Sequence, residues 1–192
     1  MTHSAASPVV RKSAAVRRAE ILEAAAVEFA ETGFAGTRFE VIAARAAVSH
    51  PRIVQMFGSK RALFLEVIDG AFDRVITEFA SAAGTAGTAR LTVLGDAYRR
   101  LLQRDRTVAL LMLQGFAASG EATVRDAVAS RYLALQDTVA ALTGADALQV
   151  RSFIATGLVV TVSSALALPG KRTDARWGAW LLELAQGDAH QP

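Results

Sequence analysis

The 192-residue chain has no cysteine, which rules out disulfides and thiolate metal sites and is compatible with a reducing compartment. Its three histidines, His3, His50 and His190, are too scattered to build an imidazole metal site. Walker A, G-x-S-x-G, H-E-x-x-H and G-x-G-x-x-G motifs are missing, and the carboxylates are spread along helix faces instead of paired in apolar surroundings. No enzymatic activity and no cofactor are expected. Lysine occurs only at Lys12, Lys60 and Lys171, so the basic charge is almost all arginine. The first fifteen residues, MTHSAASPVVRKSAA, lack an uninterrupted apolar core and do not read as a signal peptide. A flexible arm over residues 1–14 and a cytoplasmic protein are expected.

Alternating strand patterns are lacking too, while segments rich in Ala, Leu and Arg recur at helical spacing. The expectation is an all-α chain of about nine helices. Charge is missing from nineteen residues, Ser152 to Gly170, SFIATGLVVTVSSALALPG. That is near the length of a bilayer span, but Thr156, Thr161, Ser163 and Ser164 interrupt it. Small residues (Ala155, Gly157, Ala165, Ala167) suit close helix contact. A helix buried all round, as at a subunit interface, is the favoured reading.

What the chain does contain is an uneven charge. Residues 1–61 carry nine basic and five acidic residues, whereas residues 62–192 carry twelve and thirteen. The positive excess lies wholly in the first third, as in a polyanion-binding module joined to a neutral body.

In that third, Ala15 to Thr32 reads as a helix with Ile21, Ala25, Val27 and Phe29 among its apolar positions, ended by GFAG, Gly33 to Gly36. Thr37-Arg38-Phe39-Glu40 has capping-box spacing, followed by a short helix with Phe39, Ile42 and Ala43 inward. Ala46-Ala47 is a turn. Ser49 caps a third helix with Pro51 in its first turn, where the missing amide proton costs little. Gly58 stops it, and Ser59 caps a fourth running to about Ala80. SAAGTAGTA, Ser81 to Ala89, reads as a linker. Further helices are expected near 90–104, 107–118, 122–142, 146–168 and 174–186, punctuated by Ser119-Gly120, Thr143-Gly144 and Pro169-Gly170.

Three short helices with a tight turn between the second and third are the ingredients of a helix-turn-helix reader. Ile53 and Phe57 would anchor the third helix. Arg52, Gln55 and Met56 would then lie on the opposite side, with His50 and Pro51 at the tip. In a major groove Arg can pair with guanine and Gln with adenine. Thr37, Ser49 and Lys60, at helix starts, could hold phosphates. Arg11, Lys12, Arg17 and Arg18 could add backbone or minor-groove contacts.

Residues 17–65 resemble the N-terminal domain of the TetR family of transcriptional regulators. The matching frame is Ile21-Leu22 with Ala24-Ala25, Phe29, Gly33 and Thr37, then Ile42-Ala43, Ala46-x-Val48-Ser49, Phe57-x-Ser59-Lys60 and Leu63. Four positions depart from it. Ala47 stands where many members have Gly, Val54 replaces the usual aromatic, Met56 a frequent polar residue, and Glu40 a frequent Arg. LMLQGFAAS and FIATGLVVTVSSALALP are also similar to the ligand and dimer domain of some members.

The resemblance implies a DNA-binding domain over residues 15–60 and a helical ligand-binding and dimerisation domain over 61–192. It implies a homodimer, a palindromic double-stranded operator and a small-molecule effector that releases it, with no membrane partner. Candidate ligand contacts are Phe72, Ile76, Phe79, Tyr98, Leu102, Met112, Gln114, Phe116, Tyr132, Gln136, Phe153 and Thr156, a mostly apolar set with a few hydrogen-bonding groups. Arg99, Arg100 and Arg125 could face an anionic ligand. Candidate dimer contacts are Leu158, Val162 and Ala165 on the uncharged helix, with Trp177, Trp180, Leu181 and Leu184 on the last. A different reading is a helical sensor or carrier of hydrophobic molecules whose reading head is degenerate. It would bind ligand tightly and DNA no better than nonspecifically.

Overall fold

The computed structural model describes residues 13–85 and 91–168. These form eight α-helices in the order α1 (Ala14–Gly36), α2 (Phe39–Arg45), α3 (His50–Phe57), α4 (Lys60–Thr85), α5 (Leu91–Arg104), α6 (Arg106–Ala117), α7 (Ala122–Thr143) and α8 (Ala147–Ala165). There is no strand among the described residues, so the all-α expectation holds. The helix expected at 174–186 lies outside them, as does the arm up to residue 12. Residues 81–85, expected to begin a linker, instead extend α4.

Helix ends follow local chemistry. Ser13 caps α1 by accepting from the Val16 amide, and Asp105 caps α6 by accepting from the Thr107 amide. Asp146 and Gln149 form a reciprocal capping box at the start of α8. Each such cap contributes about 1 kcal/mol. The box expected from Thr37 and Glu40 does not form. Arg38 is the N-cap of α2 and makes no side-chain cap bond. The Thr37 hydroxyl turns back to donate to the Gly33 carbonyl at 2.7 Å and lies 2.7 Å from Thr32 Oγ1. It serves the end of α1 rather than the start of α2. Ser49 precedes α3 but likewise forms no side-chain cap bond, whereas the Ser59 hydroxyl does accept from the Ala62 amide.

Within α1, Gly33 has φ +72° and ψ 177°, a local break that the rest of the helix does not share. The positive φ is cheap only for glycine. Ala47, in the turn between α2 and α3, takes φ +50° with a side chain present, which costs about 1 kcal/mol.

One continuous apolar core joins head and body. Ile21, Phe29, Ile42, Ile53, Leu63 and Phe64 are fully buried. Phe64 on α4 meets Phe29 edge-on at 5.0 Å and Phe34 at 4.9 Å. The first turns of α4 are thereby fixed to α1. Glu28 is buried on α1 and accepts from Arg45 Nε of α2 at 2.6 Å, which ties the first two helices by a charge pair.

Helix α8 is the one described helix long and apolar enough to cross a membrane, with only about a fifth of its apolar stretch buried. It turns Val150, Ile154, Thr161 and Ala165 inward. Leu158 and Val162 remain 47% and 38% exposed. Burial all round is thus not reached within one chain.

Candidate nucleic-acid interface and ligand cavity

Helix α3 holds its place by two residues one turn apart. Ile53 and Phe57 are buried against α1, α2 and α4. Helical geometry then sends the intervening positions outward, and Val54 and Gln55 are exposed while Arg52 is half-buried. Arg52 Nη1 donates to Gln55 Oε1 at 2.8 Å. This leaves other guanidinium N–H groups and the Gln55 amide nitrogen directed at whatever lies beyond the helix. Ser49, His50 and Pro51 form an exposed tip. His50 Nδ1 lies 3.1 Å from Glu40 Oε1, with its ring edge-on to Phe39 at 5.5 Å. Met56, expected on the outer side, is half-buried against the core. Its flexible thioether fills the edge of the α3 seat.

Three of the expected phosphate contacts are engaged inside the protein. The Thr37 side chain is buried, at 2% exposure, and hydrogen-bonded as described. Lys60 Nζ donates to the carbonyls of Thr37 at 3.0 Å and Ala35 at 3.3 Å and sits 5.0 Å over the Phe34 ring. It neutralises the carbonyl-rich end of α1. Arg18 grips both carboxylate oxygens of Glu66 on α4, one at 2.7 Å, and stacks 4.7 Å over Phe57. The Glu66 hydrogen bond raises the Arg18 pKa above its ordinary value. Arg17 is held loosely, 3.4 Å from Glu20 on the same helix.

In the body, α4 to α8 border a small, partly open cavity of about 40 Å³ lined by Val75, Phe79, Tyr98, Met112, Phe116, Tyr132, Leu135, Phe153, Ile154, Gly157, Leu158 and Thr161. Six of these are among the expected ligand contacts: Phe79, Tyr98, Met112, Phe116, Tyr132 and Phe153. Phe79 touches Tyr98 and Phe153 edge-on at 6.1 and 5.8 Å, and Phe116 meets Tyr132 at 6.1 Å. Phe72, Ile76, Leu102, Gln114, Gln136 and Thr156 do not line it. Phe72 and Leu102 are fully buried core, and the Thr156 hydroxyl is spent on the Ser152 carbonyl. Arg99, Arg100 and Arg125 are exposed and no charged side chain reaches the cavity. The residues missed are Val75, Leu135, Ile154, Gly157, Leu158 and Thr161. Their only sequence signal is a helix face shared with expected contacts, as Phe153, Gly157 and Thr161 follow one another at helical spacing.

At one end of the cavity the Tyr98 hydroxyl lies 2.6 Å from Thr161 Oγ1 and 3.4 Å from Met112 Sδ. Burial pushes the phenol up to about 12, with the Thr161 hydrogen bond pulling the other way. It is a neutral hydroxyl at any physiological pH.

Comparison with known proteins decides the nature of the head. The model for bacterial regulatory proteins of the tetR family matches residues 21–67, the segment holding α2, α3 and the helices that seat them. The head resembles that family's. The fold match extends over about nine-tenths of the chain. A TetR-like transcriptional regulator from Rhodococcus sp. RHA1 is 27% identical, with 94% of this chain and 100% of that one covered and a TM-score of 0.68. GusR of Salmonella enterica is 22% identical over 91% and 98%, with a TM-score of 0.72. The transcriptional regulator FadR of Bacillus subtilis, solved in complex with stearoyl-CoA, is 18% identical over 88% and 97%, with a TM-score of 0.71. No curated protein sequence matches the chain.

The TetR-type head is joined to the cavity by α6. Met112 and Phe116 line the cavity, and Gln114, between them, reaches the head. Its Oε1 lies 2.7 Å from the point a Cβ on Gly33 would occupy. The break in α1 thus has a body residue seated on it. Gly115 faces the other way, toward Ile68 of α4 and Val128 of α7. Of the expected dimer contacts, Leu158 and Val162 are exposed, as are Leu166 and Leu168 at 63% and 52%. Ala165 is buried in the chain, which removes it from any such surface. Trp177, Trp180, Leu181 and Leu184 lie outside the described residues.

Proposed function

We propose that the chain is a cytoplasmic, homodimeric TetR-like repressor, released from a palindromic double-stranded DNA operator by a small, mostly apolar effector. The observation that carries the DNA reading is the exposed Arg52–Gln55 pair on a helix anchored by Ile53 and Phe57 within a TetR-family head. Arg52 reads guanine O6/N7 and Gln55 adenine, each pair contributing roughly 1–3 kcal/mol of discrimination. Ser49, His50, Pro51 and Arg17 contact the backbone around them.

Release follows from the size of the cavity. A single aromatic ring needs a space on the order of 150 Å³, well above the 40 Å³ present, so a ligand must displace the side chains around it. Met112 and Phe116 are two of those, and their helix bears on Gly33. A ligand that enlarges the cavity therefore favours one arrangement of head and body over the other, which is the differential affinity a switch requires. The exposed apolar face of α8 supplies the dimer contact, and two heads at half-sites roughly 34–36 Å apart then sense small rotations.

Selection from a random duplex library, at near-physiological salt to suppress nonspecific binding, tests the reading. An inverted repeat should be enriched, and Arg52→Ala or Gln55→Ala should each relax one position of it. No enrichment by soluble, folded protein would favour the ligand sensor with a degenerate head.

A further inference from the structure

The hydrogen-bond pattern around Tyr98 in the cavity names a ligand chemistry, on the reading above that this cavity holds the effector. Thr161 and Tyr98 have one hydroxyl proton each. The Thr161 hydroxyl donates to the Gly157 carbonyl at 2.8 Å, so its oxygen is the acceptor for Tyr98 at 2.6 Å. In the opposite arrangement Thr161 donates to Tyr98 and Tyr98 donates to Met112 Sδ at 3.4 Å. That exchanges an O–H···O bond for a bond to a thioether, a weak acceptor. The first arrangement prevails. Both protons are then used internally, and the hydrogen-bonding capacity left on the Tyr98 oxygen, at the edge of the cavity, is a lone pair.

We propose that the effector is a neutral aromatic or alicyclic compound carrying a single hydroxyl or N–H group, which donates to Tyr98 Oη. Phe79, Phe116, Tyr132 and Phe153 enclose its ring system. A carboxylate, sulfate or phosphate is rejected, because no charged side chain lines the cavity and an unpaired buried charge is far costlier than a buried neutral ring. A compound that only accepts hydrogen bonds gains nothing at Tyr98, since its oxygen would face another oxygen.

Four probes of one size separate these cases: 2-naphthol, naphthalene, 2-methoxynaphthalene and 2-naphthoate. Binding to the full-length protein is read by calorimetry, and release from an enriched operator by fluorescence anisotropy. 2-Naphthol should bind about fivefold to tenfold more tightly than naphthalene, the worth of one neutral hydrogen bond, with 2-naphthoate weakest. Tyr98→Phe should remove that advantage while leaving naphthalene binding unchanged. Thr161→Val should shrink the advantage of 2-naphthol over 2-methoxynaphthalene, because Tyr98 is left with only the weak Met112 Sδ acceptor at 3.4 Å and can turn its proton to an accepting ligand. Equal binding of 2-naphthol and naphthalene, tighter binding of 2-naphthoate, or no binding of any probe would overturn the proposal. Binding in the expected order without operator release would leave the ligand class standing and sink the regulatory reading instead.

Discussion

Two single residues carry local costs that can be measured. Ala47 holds φ +50° in the turn of the reader, where glycine would pay no Cβ penalty. Ala47→Gly should raise the unfolding free energy by about 0.5–1 kcal/mol, seen as a higher urea midpoint at constant m-value. An unchanged midpoint would mean the turn is not strained. Tyr98 has its phenol pushed up to about 12 by burial, against about 10 for an unfolded tyrosine. The folded state therefore keeps its proton where the unfolded chain has lost it. The stabilisation is fully present below pH 10 and is lost as pH rises through about 12. Absorbance titration should show one tyrosine ionising only at that upper limit or on unfolding, and Tyr98→Phe should delete that step.

At the level of the helices, the arrangement of α1 and α4 assigns Arg18 a task different from the one its position in the sequence suggests. A basic residue near the start of a DNA-reading head reads as a phosphate contact. Glu66, 48 residues away, takes it instead. Arg18→Ala should lower stability by roughly 1 kcal/mol, the worth of a partly exposed pair with a stacked ring. It should leave the slope of log affinity against log salt unchanged, whereas loss of a true phosphate contact would reduce that slope by about 0.9. A reduced slope would restore Arg18 to the DNA interface.

The same comparison shows what was legible in the sequence. Helix type and order follow from apolar spacing, and the anchoring of α3 by Ile53 and Phe57 follows from a one-turn separation. Half of the cavity lining was readable because aromatics and Met at helical spacing are conspicuous. Small and aliphatic members such as Gly157, Leu135 and Thr161 are chosen by which face a helix presents, which depends on its neighbours. The internal partners of Thr37 and Lys60 were not legible for a related reason. Their polar atoms found carbonyls of α1 that are distant in the chain or hidden by the Gly33 break.

For the whole molecule, the uncovered face of α8 is the feature with the largest consequence. Leu158 and Val162 on α8, with Leu166 and Leu168 just beyond it, present a band of exposed aliphatic surface, which in the proposed homodimer two copies bury about a two-fold axis. Leu158→Glu with Val162→Glu should convert a dimer to a monomer in sedimentation and abolish operator binding, while the far-ultraviolet spectrum stays helical. A dimer that survives both changes would place the interface elsewhere. Because the body is continuous with the head through Phe64 and α6, loss of the dimer should also make thermal stability independent of protein concentration.

The contact between Gln114 and Gly33 bears on the history of the sequence as well as on its mechanics. The space that a side chain at position 33 would need is already occupied by a residue 81 positions later. The Gln114 amide is the movable end of a flexible side chain, whereas the positive φ at Gly33 disfavours any side chain there. A relative in which residue 33 has acquired a side chain should carry a shorter residue at 114, and one with a bulkier residue at 114 should keep glycine at 33. Exchanging residue 33 or residue 114 alone should therefore cost more stability than exchanging both together.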